Sequence, residues 1–237
     1  MDSRIPTGCG VLDKLLSGGL DADCITTIYG PAGSGKTNLA LIAAVTATLR
    51  GKKVIYMDTE GGFSVERLKQ LCKDHAHVLE NVLFLRPTTF QEQVEAFTRL
   101  RSLVTAKIGL IVVDSISMLY RLELGSSEEA YDVNRALGKQ LAALTEIARK
   151  KSIPVILTNQ VYSSFDEREK VNMVGGDLLR YGSKCLVELQ ITPSNKRRAI
   201  LRKHRSLAPD IETVFQIVGT GIVEAKESRG FNLFRKE

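Results

Sequence analysis

The chain has 237 residues, of which 43% are hydrophobic and 25% charged, and its formal net charge is +6. This length suits one α/β domain over residues 1–237, and the composition excludes a disordered or fibrous chain. No run approaches the roughly 20 apolar residues that span a bilayer, and residues 1–6 lack the layout of a secretion signal, so a cytoplasmic protein without membrane attachment is expected.

Residues 25–29 (Ile-Thr-Thr-Ile-Tyr) read as a strand. Directly after it stands Gly30-Pro31-Ala32-Gly33-Ser34-Gly35-Lys36-Thr37, a complete G-x-x-x-x-G-K-[ST] phosphate-binding loop, or Walker A motif, opening an apolar helix over 38–49. Glycines let this backbone turn tightly and present its N–H groups, and the helix directs its positive end at the same point. The motif assigns ATP as ligand. Lys36 neutralises phosphate oxygens, and Thr37 gives its hydroxyl to Mg²⁺.

Residues 54–57 form the next strand, followed by Asp58-Thr59-Glu60-Gly61-Gly62. Glu60, just past the strand, is the candidate general base for water, with Asp58 as the substitute. A helix is expected over 64–75 and a strand over 82–85. Thr89 and Glu92 offer a capping box to a helix reaching about 104. Residues 108–113 are a continuous apolar strand ending on Asp114, the second Mg²⁺ carboxylate that a phosphate loop requires. Ser126 and Glu129 form another capping box, before a helix to 151. A strand over 153–157 leads to Thr158-Asn159-Gln160, where an amide is placed to bond the terminal phosphate. Continuous apolar runs between helices indicate parallel strands covered on both faces.

The pattern changes beyond Gln160. Residues 162–176 are polar without a clear period. Residues 185–191 and 198–204 flank Pro193-Ser194-Asn195-Lys196, a hairpin signature, and 212–218 with 221–224 complete an antiparallel extension. Residues 195–205 carry six Lys or Arg and no acid. Lys196, Arg197, Arg198, Arg202, Lys203, His204 and Arg205, with Arg168 and Lys170, are the candidate DNA-phosphate contacts. Few aromatics interleave with them, so backbone contact should outweigh base stacking. Cys9, Cys24, Cys72 and Cys185 are scattered, which favours free thiols. His75 and His77, two apart on a helix, would face different ways, against a metal site.

Taken together these residues resemble the RecA/RadA recombinase family. Thr7-Gly8, Leu12-Asp13-Lys14-Leu15-Leu16 and Gly18-Gly19-Leu20 look like its lead-in segment. Asp58-Thr59-Glu60-Gly61 is similar to its catalytic-glutamate segment, and Thr158-Asn159-Gln160-Val161 to its phosphate-sensing segment. The resemblance implies a RecA-like P-loop ATPase core with a mainly parallel sheet. It also implies that Glu60 activates water and Gln160 senses the γ-phosphate. Asn38 belongs to the nucleotide site, and Arg67 matches an arginine that stacks on adenine. Residues 120–127 and 161–176 correspond to two DNA-facing loops.

Departures narrow the expectation. Only six residues precede Thr7-Gly8 here, so the family's helix-hairpin-helix domain and its Phe-x-x-Ala docking segment are expected to be missing. His204-Arg205-Ser206 stands where the family has an Asp-Ser-Pro nucleotide cap. The pattern is that of a core-only archaeal member. Expected are weak ATP hydrolysis, sequence-nonspecific binding of DNA with single strands favoured, and a role assisting a RadA-type recombinase near the nucleoid. A homodimer fits better than long filaments. A KaiC-like signalling ATPase without DNA affinity is the alternative. Phe231-Asn232-Leu233-Phe234 either docks a partner or packs on the core.

Overall fold

The computed structural model describes residues 4–124, 127–163, 171–192 and 195–225. Six strands, β1 (Ile25–Tyr29), β2 (Lys53–Asp58), β3 (Val82–Leu85), β4 (Ile108–Asp114), β5 (Val155–Asn159) and β8 (Cys185–Ile191), run parallel. Antiparallel strands β9 (Arg197–Lys203), β10 (Ile211–Val218) and β11 (Gly221–Glu224) extend them. The nine-stranded order is β11-β10-β9-β8-β1-β5-β4-β2-β3. This is the mainly parallel RecA-like sheet with the antiparallel extension that the sequence implied.

The apolar strands feed two cores. On one face, Val54, Tyr56, Leu110 and Val112 pack with α1 (Gly10–Leu15), α2 (Lys36–Leu49), α3 (Val65–Leu71) and α4 (His75–Glu80). On the other, Ile55, Met57, Ile111 and Val113 pack with α5 (Phe90–Leu103), α6 (Met118–Glu123), α7 (Ser127–Lys151) and α8 (Gly176–Gly182). Successive strand residues point to opposite faces, so an unbroken apolar run is what a twice-covered strand needs.

Local signals acted much as read. Thr89 caps α5 by accepting from the Glu92 N–H at 3.2 Å. The Glu92 carboxylate reaches back one residue further than a standard box, to the Thr88 N–H (2.7 Å) and hydroxyl (2.9 Å). Asp13 gathers the lead-in turn by accepting from the Thr7 N–H, the Thr7 hydroxyl and the Gly8 N–H. Gly8 is required there: its φ is +79°, and a Cβ would lie 1.9 Å from Thr46 Oγ1.

Two expectations need correction. The helix expected over 64–75 stops at Leu71, because Cys72 takes an extended conformation (φ −146°, ψ 125°), and α4 restarts after Asp74. The polar stretch 162–176 contains elements: β6 (Val161–Ser163) pairs with β7 (Val171–Met173), and α8 follows Gly175 at φ +80°. The Ser126 capping box and residues 231–234 lie outside the described residues. All four cysteines are free and buried. Among the described residues, no helix is long and apolar enough to cross a membrane.

Candidate nucleotide site and the basic hairpin

The parallel strands end on one edge, and the candidate catalytic residues gather there. Glycines shape the phosphate loop: φ is +74° at Gly33 and +104° at Gly35. Behind Gly35, Ile217 Cδ1 and Phe215 Cε2 would lie 3.0 and 3.6 Å from an added Cβ, so β10 forms the floor of the loop. Helix α2 starts without a side-chain cap and without an acid in its first turn. Its N-terminal N–H groups and positive dipole end are thus open to an anion. The Lys36 ammonium donates to the Gly30 and Pro31 carbonyls, 2.9 Å each, folded back on its own loop. Burial lowers its pKa, and the nearby carboxylates of Glu60 and Asp114 oppose the shift.

Asp114 ends β4 and is 2% exposed. Burial raises its pKa, against hydrogen bonds from Thr158, Tyr56 and Thr37 that stabilise the carboxylate. The Tyr56 hydroxyl donates to it at 2.9 Å, and that of Thr158 at short range. Thr37 and Asp114 thus face each other, hydroxyl to carboxylate, the oxygen donors a hard cation takes. Among the described residues no cluster of three or more His, Cys, Asp or Glu could hold a metal by itself. A cation at Thr37 and Asp114 therefore needs phosphate oxygens to complete its shell. Ser34, fully buried in the loop, leaves its hydroxyl without a partner. An anion in the cradle would satisfy it, so the residues fit a magnesium nucleotide.

Glu60 and Asp58 separate clearly. Asp58 is 4% exposed, and its carboxylate accepts from the Gly62 and Phe63 N–H groups at 3.0 and 3.1 Å. It holds the turn and has no access to water. Glu60 is exposed, and one of its oxygens, Oε1, accepts from the Ser115 hydroxyl (2.6 Å) and the Gln160 amide (2.9 Å). Gln160 and Glu60, 100 residues apart, are in direct contact.

Asn159, fully buried, joins three parts. Its carbonyl accepts from Gly30 N–H at 3.3 Å, and its amide donates to the Val174 carbonyl at 2.9 Å. The Val174 N–H in turn donates to the Gln160 carbonyl at 3.1 Å. The end of β5 thus ties the phosphate loop to the segment after β7. Arg67 bonds Asn38 Oδ1 (2.7 Å) and the Val218 and Gly219 carbonyls of the β10–β11 turn, at 3.0 and 2.9 Å. It lies against the start of α2, beside the loop.

The basic segment does not form one open cationic strip. Arg202 bridges Glu188 and Asp210 at 2.7 Å each, and Arg205 pairs with Asp21 (2.9 Å) and Asp23 (2.8 Å). Lys203 donates to the Arg180 and Ser183 carbonyls. Arg198 lies 3.8 Å from Glu212. The His204 side chain is 2% exposed beside Asp21, and burial lowers its pKa, so it adds neither charge nor contact surface. Arg197 leaves the group for another reason: its guanidinium lies on the Gly33 carbonyl of the phosphate loop. The acids that engage this segment come from β8, β10, the turn before β10 and the turn before β1, none of which is visible within 195–205. Lys196 is half-buried at the turn before β9, while Arg168 and Lys170 lie outside the described residues.

The two segments likened to DNA-facing loops do meet. Tyr120, Arg121 and Leu124 from the end of α6 face Tyr162 and Val174 across a cleft of about 710 Å³. Tyr162 is half exposed and Arg121 exposed.

A phosphate loop after β1, with its carboxylate two strands away on β4 and β5 between them, defines a RecA-like P-loop domain. The chain belongs to the Rad51 family, whose model matches residues 3–225. It is 41% identical over 227 residues to the DNA repair and recombination protein RadB of Methanobrevibacter smithii, covering 93% of this chain and 95% of that one. The RadB of Methanosphaera stadtmanae is 40% identical over 224 residues, covering 92% and 95%. A solved structure described as the RadB recombinase superposes with a TM-score of 0.79 at 38% identity, over 95% of this chain and all of that one.

Proposed function

We propose that this protein binds ATP with Mg²⁺ and binds DNA, and that it assists or regulates a RadA-type recombinase in recombination and repair while hydrolysing ATP slowly. One observation carries the reading: Lys36, Thr37, Asp114, Glu60 and Gln160 converge on one sheet edge. Relatives named for DNA repair and recombination support the biological part.

When bound, magnesium triphosphate supplies an electrophilic terminal phosphate. Lys36 would turn from its loop carbonyls to the phosphate oxygens, Thr37 and Asp114 would hold the cation, and Arg67 with Asn38 would bound the base side. Glu60 takes a proton from water with the carboxylate oxygen that Ser115 and Gln160 leave uncovered. Gln160, which reaches Glu60 through its side chain and Val174 through its backbone, couples the phosphate site to the β6–β7 pair. The cleft of Tyr120, Arg121 and Tyr162, with Lys196, Arg168 and Lys170, takes the DNA.

Lys36→Ala should weaken ATP binding by roughly 10- to 100-fold in a calorimetric titration, the worth of one charge-assisted contact on a phosphate. Unchanged affinity would remove ATP from this loop. DNA affinity should fall steeply with salt: with about four phosphates contacted, the single-strand slope of log K against log salt is near −3. A flat dependence would count against the cationic surface.

A further inference from the structure

Resting on the ATP reading above, we propose that Arg197 is a positioning residue of the phosphate loop, supplied by the same chain from the start of β9. Its Nε and Nη2 approach the Gly33 carbonyl at 3.4 and 3.3 Å, a forked approach to one peptide oxygen. Its Nη1 donates to the Asn195 carbonyl and side-chain oxygen, at 2.6 and 3.0 Å. Asn195 has a positive φ of 55°, so the turn before β9 aims the guanidinium. In the sheet Arg197 is registered opposite Phe215 of β10, the residue beneath Gly35. Loop and arginine therefore share one rigid support.

The chemistry follows from the peptide that Arg197 touches. A cation on the Gly33 carbonyl polarises the Gly33–Ser34 amide and makes the Ser34 N–H a better donor. That N–H now makes only a long bond of 3.3 Å to the Pro31 carbonyl, and the Ser34 hydroxyl has no partner. Both Ser34 donors are thus reserved for an anion, while the carbonyl side is gripped from outside. A magnesium triphosphate also retains net negative charge after Lys36 is counted, and a second fixed cation at the loop offsets part of it. The bonds to Gly33 are long, but their charged donor gives them more strength than neutral bonds of that length. The forked approach is one that lysine cannot reproduce.

The test compares the parent with Arg197→Ala and Arg197→Lys, titrated with ATP, ADP and AMP in Mg²⁺, alongside thermal unfolding without nucleotide. Arg197→Ala is expected to weaken ATP and ADP by about tenfold and AMP by less, with Arg197→Lys between parent and Ala. The nucleotide-free melting temperature should stay within about 2 °C of the parent. Equal ATP affinity in parent and Arg197→Ala would overturn the assignment, as would an equal loss for AMP and ATP, which marks general loosening. A loss of single-stranded DNA affinity with ATP affinity intact would also overturn it and return Arg197 to the DNA surface. A parent that bound no ATP would instead sink the reading on which this rests, so the two failures are distinguishable.

Discussion

Glu60→Gln is expected to lower ATP turnover by about 100-fold while ATP affinity changes by less than about threefold. The amide keeps the shape of the carboxylate and its bond to Ser115, but cannot take a proton. The loss should therefore fall on kcat, with KM nearly constant. Asp58 offers no substitute, since the Gly62 and Phe63 N–H groups occupy it in a buried turn. The slow hydrolysis proposed above makes single-turnover measurement with radiolabelled ATP the suitable assay, with and without single-stranded DNA. Turnover equal to the parent's would clear Glu60 of the proton-accepting role.

Phe215→Ala should destabilise the protein by about 3–5 kcal/mol, the usual cost of emptying an aromatic site in a packed core. For a chain of this size that lowers the melting temperature by roughly 6–20 °C. Phe215 is fully buried in the core beneath α1 to α4 and lies, with Ile217, behind Gly35. The neighbouring elements are a sheet and the start of α2, which cannot collapse into the space without moving the phosphate loop. Phe215→Leu refills most of that volume and should recover more than half of the loss. A drop below about 2 °C in Phe215→Ala would mean that β10 is not the floor of the loop.

How much of this was legible in the sequence depends on whether the signal was local. The strands around Val54, Val112 and Ile156 were readable because burial on both faces requires an unbroken apolar run. The phosphate loop, Asp114 and Glu60 could be picked out as candidates because each sits at a strand end, where the proposed chemistry would need it. The break at Cys72 was not, since the apolar spacing of Leu68, Leu71 and Cys72 continues through it and only the extended backbone of Cys72 ends the helix. Nor was α8, whose first residue, Gly176, follows another glycine and suggests a loop.

The basic segment shows the deeper limit. Its charges were counted correctly along the chain, but Glu188, Asp210, Glu212, Asp21 and Asp23 reach them only through strand pairing and the turn before β1. Charge clustering in one dimension does not report charge balance in three. The same pairing turned Arg197 toward Gly33, a contact spanning 164 residues with no sequence signature.

The most direct test of the whole account is a crystal structure with a non-hydrolysable ATP analogue and Mn²⁺ in place of Mg²⁺, with the metal located by anomalous scattering. The account predicts one manganese between Thr37 Oγ1 and the Asp114 carboxylate, with the triphosphate along Gly30–Thr37. Manganese bound elsewhere, or nucleotide absent from that loop at saturating concentration, would contradict it.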